Sequence, residues 1–135
     1  MAVFEKLGNY KSTGLLLMRV GLGAMMIFHG YPKLIGGPGM WTKIGASMGE
    51  VGIHFAPTFW GFMAGFAEGV GGLLVVLGLF FRPACFMILF TLAIATHHHF
   101  IAGDGLSGAS HAIETGIAFL GMFILGPGKY SVDKK

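Results

Sequence analysis

Four of the chain's six histidines fall in one stretch, ATHHHFIAGDGLSGASHAIE, which runs from Ala95 to Glu114. It holds His97, His98, His99 and His111 with Asp104 and Glu114, and strongly apolar sequence flanks it on both sides. Imidazoles with a carboxylate suit zinc, iron or copper. The same groups can relay protons or hydrogen-bond a quinone ring. His111 and Glu114 are three residues apart, so they share a helix face. Their spacing is that of the Glu/His pairs of di-metal bundles in reverse order, present here once rather than twice. The plainer alternative is a wet turn between two apolar helices.

Other ionisable residues sit deeper. His29 and Lys33 are four apart and share one face of their helix. Arg19 and Glu68 each lie in an apolar run. A charged residue at the centre of a membrane helix costs roughly 2.5–3.5 kcal/mol on insertion scales. Counted by helix rise from the span ends, Arg19 and Glu68 are expected at similar depth. That similarity of depth predicts an Arg19–Glu68 ion pair, either holding helix register or serving a ligand. His54 stands alone and is expected to be solvated.

These groups need elements to position them. More than half of the 135 residues are hydrophobic, 11% are charged and 24 are glycine. Charged residues make up roughly a quarter of an ordinary soluble domain; an apolar, glycine-rich chain belongs in a bilayer, where glycine permits close helix packing. Four stretches are long enough to cross, at roughly 20 residues each: residues 13–31, 57–80, 83–101 and 109–125. The expected fold is an all-α, integral membrane four-helix bundle forming a single domain over residues 1–135. Arg82-Pro83 makes the second connection a tight hairpin. No cleavable signal peptide is expected, because a polar lead of about a dozen residues precedes the first span and no A-x-A site follows.

Between the first two spans, Met40, Trp41, Ile44, Met48 and Val51 recur at helical spacing, predicting a short interfacial helix with Trp41 at headgroup level. Gly61, Gly65 and Gly69 form a doubled G-x-x-x-G, read as internal packing rather than self-association. Lys6, Lys11, Arg82, Lys129, Lys134 and Lys135 lie on one side of the spans, against Lys33 and Lys43 on the other. The excess puts both termini in the cytoplasm and the histidine run outside. A net charge of +3 spread over ends and turns gives no argument for nucleic acid. One cysteine, Cys85, forms no internal disulfide and reads as an inert buried thiol.

Helical phase predicts that His98 points into the bundle, with His97 the second candidate and His99 toward water. His98, His111 and Glu114 are then expected to meet His29 in a pocket opening outward, with Glu68 as its floor beside Arg19 and Lys33 at its mouth. By helix rise, His29 and Glu114 are expected in the same outer layer.

Three ordered motifs resemble the DoxX family. MRVGLGAMMIFHGYPKLIG carries Arg19, Gly23, His29, Gly30 and Lys33; AEGVGGLLVVLGLFFRP carries Glu68, Gly71, Gly72, Gly78 and Arg82; GPGKYSVD carries Gly126, Pro127, Gly128, Tyr130 and Asp133. The similarity runs from about Leu15 to Asp133. It implies a small four-helix protein of the cell inner membrane. The wider family includes a membrane subunit of an archaeal thiosulfate:quinone oxidoreductase and proteins tied to redox or sulfur stress.

The leading expectation is a redox-linked membrane subunit that uses Arg19, His29, Lys33 and Glu68 for ligand binding or proton relay. A quinone is one candidate ligand. A transition metal on His98, His111, Glu114 and His97 is the other. The alternative is a non-catalytic anchor or assembly subunit in which Arg19 and Glu68 serve structure only. A transporter is a third reading, weakened by the lack of an internal repeat. The partners expected are the lipid bilayer, other protein subunits and a second copy of the chain, with no nucleic acid. No nucleotide loop, CxxC pair or haem-attachment motif is present.

Overall fold

Pro57 starts a helix and Gly78 stops it. Proline's fixed φ suits a first turn, where its missing N–H leaves no bond unmade. Gly78 adopts φ 69°, and the N–H groups of Gly78 and Leu79 return to the Val75 and Leu74 carbonyls at 3.2 and 3.0 Å. This closes the helix at Leu77, before the expected Phe80, because a left-handed residue ends the i→i−4 ladder.

The computed structural model describes residues 3–133. A 3₁₀ turn, Glu5–Tyr10, leads into α1, Lys11–Ile35. Then come α2, Gly37–Gly45, with a 3₁₀ turn at Ala46–Val51, and α3, Pro57–Leu77. The chain continues through α4, Phe81–Ile101, and α5, Gly105–Leu125. Among the described residues there is no strand. Helices α1, α3, α4 and α5 are each long and apolar enough to cross a membrane, and the expected short helix between the first two spans is present. α1 packs on α3, α3 on α4 and α4 on α5, while α2 lies against α3. The bundle core is Met26, Val75, Phe81, Ala84, Cys85, Ile88, Leu92, Ala112, Phe119 and Met122.

The glycine stripe sets how closely the helices meet. Gly61 lies against the Trp41 backbone, Gly65 against Lys33 and Leu34, and Gly69 against Leu34 and Gly30. Internal packing is therefore the stripe's role. Gly45 lies against the Pro57 backbone and leaves no room for a Cβ, so α2 is seated directly on the start of α3. Along the α1–α3 seam, Gly23 meets Gly72 and Val76, and Gly30 meets Glu68 and Gly69.

That register overturns the expected Arg19–Glu68 pair. α1 projects beyond the end of α3, so Arg19 stands level with Val75 and Val76, while Glu68 stands level with Gly30. Eleven residues on α1 separate the two levels, about 16 Å by helix rise. Equal distances from the ends of two spans do not give equal depth when one helix overshoots the other.

Candidate functional site

Arg19 is 1% exposed and closes one end of the bundle. Its Nε donates to the Val75 carbonyl at 3.1 Å and Nη2 to that of Val76 at 2.7 Å. Nη1 donates to the carbonyls of Pro127, at 3.2 Å, and Tyr130, at 2.7 Å. Carbonyls at a helix C-terminus lack intrahelical partners and carry the negative end of the dipole. A guanidinium suits them because its planar fork of donors stays charged. The tail is tied further: Val132 and Asp133 N–H groups donate to Leu77 and Gly78 carbonyls at 3.1 and 2.9 Å. The Asp133 carboxylate accepts from the N–H groups of Phe80 and Phe81, at 3.1 and 2.9 Å, at the start of α4. Arg19 and Asp133 together bind the ends of α3, α4 and the tail to α1.

The other end is built differently. The last turn of α1 carries Lys33, whose Nζ donates to both oxygens of Glu68, at 2.9 and 2.8 Å. The Glu68 side chain is 6% exposed and that of Lys33 31%. The close approach of Gly30 to Gly69 brings α1 near enough for the amine to straddle the carboxylate. The Lys33 carbonyl accepts the Trp41 indole N–H at 2.8 Å, and the Trp41 ring stands edge-on to Phe62. Trp41 thus fixes α2 to α1 and α3 through contacts within the protein.

Lys33 and Glu68 line a cavity of about 770 Å³. It lies between α2 with its 3₁₀ turn, α3 and α4. Met40, Met48, Met63 and Met87 line it with Trp60, Phe86 and Phe90, and its walls are mostly apolar. Lys43, Ser47, His98 and His99 also line it. The volume is within the usual range for small-molecule sites, roughly 300–1,000 Å³. Flexible, polarizable methionine side chains adapt to ligands of irregular shape.

The expected convergence of His98, His111, Glu114 and His29 does not occur. His29 of α1 and His111 of α5 approach with ring centroids 5.2 Å apart, and both are exposed. His98 faces the other flank: its Nδ1 lies 2.9 Å from Glu50 Oε1 and 3.5 Å from Ser47 Oγ. His97 Nδ1 lies 3.9 Å from Glu50 Oε2, and His99 pairs with Asp104 at 2.8 Å. Glu114 is exposed. Among the described residues no three His, Cys, Asp or Glu side chains form a group that could hold a metal. The reason is helical phase: Ala84, Ile88 and Leu92 turn inward, whereas Thr91, Ile94, Ala95 and His98 turn toward the cavity under α2. His54 is exposed, as its isolation suggested.

Residues 14–103 match the DoxX family. The chain belongs to the DoxX family. A protein of Haemophilus influenzae with no stated role is 28% identical, covering 97% of this chain and 96% of its own length. Inner membrane protein YphA of Escherichia coli is 30% identical over 95% of this chain and 94% of its own. A membrane protein of Mycobacterium tuberculosis is 30% identical over 91% and 76%. No solved structure matches the chain. The residues that carry the family resemblance divide between the two ends: Arg19, Gly78, Pro127, Tyr130 and Asp133 build the clamp, and Gly30, Lys33 and Glu68 build the ion pair.

Two parts of this site escaped the sequence reading. Glu50 was passed over, although it lies three residues beyond Ser47 on the segment that faces α4. Met40, Ile44 and Met48, expected on a short helix lying in the membrane interface, form at four-residue spacing a stripe that lines the cavity.

Proposed function

We propose that this DoxX protein is a redox-linked inner-membrane subunit that holds a quinone in the cavity between α2, α3 and α4. One observation carries the reading: a buried ion pair on the wall of a large apolar cavity. The quinone ring and tail take the methionine and aromatic walls. Lys33 donates to a ring carbonyl, and Glu68 accepts from a ring hydroxyl in the reduced form. An ion pair satisfied within itself is neutral enough to sit at depth, yet it offers both a donor and an acceptor. Electrons would come from a partner subunit, since the chain carries no nucleotide, CxxC or haem motif of its own. The lysine and arginine excess at the clamp end supports cytoplasmic termini, which puts Lys33, Glu68 and the cavity in the outer half. Lys134 and Lys135, which add to that excess, lie outside the described residues.

The test is titration of the purified protein in nanodiscs with short-chain benzoquinones and naphthoquinones, followed by quenching of tryptophan fluorescence. Saturable quenching is expected, weakened about tenfold or more by Glu68→Gln, about the 1.4 kcal/mol of one charge-assisted hydrogen bond. Quenching that rises linearly with quinone, as partition into lipid does, would leave the anchor reading in its place.

A further inference from the structure

We propose that Glu50, with His97 and His98, forms a proton-sensitive latch holding the 3₁₀ turn Ala46–Val51 against α4 and so controlling the opening of the cavity. The inference concerns regulation of the site proposed above. It needs the cavity, not the identity of the ligand.

The two sides of the covering segment are held unequally. On the α3 side, Gly45 and Gly61 bring backbone against backbone, a contact that cannot open without unseating α2. On the α4 side, Ser47 and Glu50 tie the turn to His98, and Glu50 also faces His97. Gly52, at φ 91°, ends the turn and gives the segment a pivot. The α4 side is therefore where the cover can lift.

The latch is half made. Glu50 Oε1 meets His98 Nδ1 at hydrogen-bond distance, but Glu50 Oε2 and His97 Nδ1 face each other at 3.9 Å. Both of these atoms are shielded from solvent and neither has a hydrogen-bond partner. Orphaned polar atoms at such a spacing are costly. A proton on His97 turns the gap into an imidazolium–carboxylate attraction that draws the turn onto α4. Imidazole is the side chain that changes charge between pH 5 and 8, and charge-assisted bonds are roughly twice as strong as neutral ones. The latch therefore tightens as pH falls and loosens as pH rises.

The surrounding charges are few. His99 on α4 is already paired with Asp104. His54 lies beside Gly49, and Lys43 on α2 lines the same cavity as Lys33 of α1 and Glu68 of α3, which are paired with each other. One carboxylate balances one imidazolium, so the first proton tightens the latch most.

The experiment uses the full chain in lipid nanodiscs without quinone. Ala64→Cys places a thiol in the cavity wall, and Lys129→Cys places a reference thiol on the exposed tail. The native Cys85 is wholly buried, and its background is measured without either substitution. The ratio of N-ethylmaleimide labelling rates, cavity over tail, cancels the common dependence of thiols on pH. That ratio should fall about fivefold from pH 8 to pH 5.5. It should stay flat when Glu50→Gln or the pair His97→Gln and His98→Gln is added, and His54→Gln should leave the fall intact. A flat ratio with the latch residues present, or an unchanged fall in Glu50→Gln, overturns the proposal. Met63→Cys serves as the cavity reporter if Ala64→Cys does not fold. Since no quinone is present, failure of quinone binding and failure of the latch are read separately.

Discussion

Among the described residues, Arg19 and Glu68 are the two charged side chains that the bundle buries most deeply, at 1% and 5% exposure, yet they are housed in opposite ways. Arg19 meets four backbone carbonyls from two separate segments. Glu68 meets one flexible amine and borders about 770 Å³ of open space. A buried charge bound to main chain has its energy tied to the fold, because the acceptors cannot leave without unravelling a helix end. A buried charge bound to a lysine beside a cavity can exchange its partner for a ligand while the helices stay in place. The surroundings, rather than the charge itself, separate a clamp from a candidate site.

The largest expected effect is at the clamp. Arg19→Ala strands the carbonyls of Val75, Val76, Pro127 and Tyr130 and leaves a void. It should cost about 3–5 kcal/mol, the range for stripping one partner from a buried charged network. Arg19→Lys should recover part of that, since a single ammonium cannot span carbonyls on both sides. Reversible unfolding in mixed micelles measures both. A loss below about 1 kcal/mol for Arg19→Ala would show that the tail holds without the clamp. The folded fraction should bind quinone as before.

At the ion pair the effect on stability should be smaller and lopsided. Lys33→Met leaves a carboxylate that is 6% exposed with no partner, whereas Glu68→Gln leaves a lysine that is 31% exposed and can reach water. We expect a loss of about 2–3 kcal/mol for the first and about 1 kcal/mol or less for the second, both reduced from fully buried values by that exposure. Replacing both by methionine should restore most of the stability but not the quinone affinity. If the double variant binds quinone normally, the pair belongs with Arg19 as a structural feature.

The fold was legible because hydropathy over about 20 residues and proline and glycine punctuation are local signals. The same is true of the short helix and of the inward use of Gly61, Gly65 and Gly69. What was not legible depended on register. Arg19 and Glu68 looked like partners because depth was counted from the span ends, and nothing local reveals that α1 overshoots α3 by some two turns. Phase misled in the same way for His98. The phase that predicts His98 inside the bundle allows for one protein-covered face, but α4 has two, one toward the bundle core and one toward the cavity under α2. The first is a matter of register and the second of helical phase, and both are set by contacts between helices rather than by local sequence.

Gly45→Ala tests whether the cavity depends on how α2 is seated. An added methyl would meet the Pro57 backbone, so α2 must shift away from α3. Overpacking of this kind costs about 1–3 kcal/mol. Quinone affinity should change along with stability, because Met40, Ile44 and Met48 move with the helix. Such joint loss is expected only at the cavity end, and normal affinity in a destabilised Gly45→Ala protein would detach α2 from the site.

Within the clamp, the smaller effect should come from Asp133, and it separates the cap from Arg19. Its carboxylate caps α4 by accepting two N–H groups of the first turn, where the helix dipole also favours negative charge. Asp133→Ala removes that cap but leaves the backbone bonds from Val132 and Asp133 to Leu77 and Gly78 intact. The loss should be about 1 kcal/mol, as for other capping residues, and Asp133→Asn should lose less because its amide oxygen can still accept. Combined with Arg19→Ala, Asp133→Ala should cost less than it does alone, since the tail that presents it is already loosened. Strict additivity of the two in unfolding measurements would mean that Arg19 and the tail stabilise the bundle independently, and the clamp would then be two separate contacts rather than one unit.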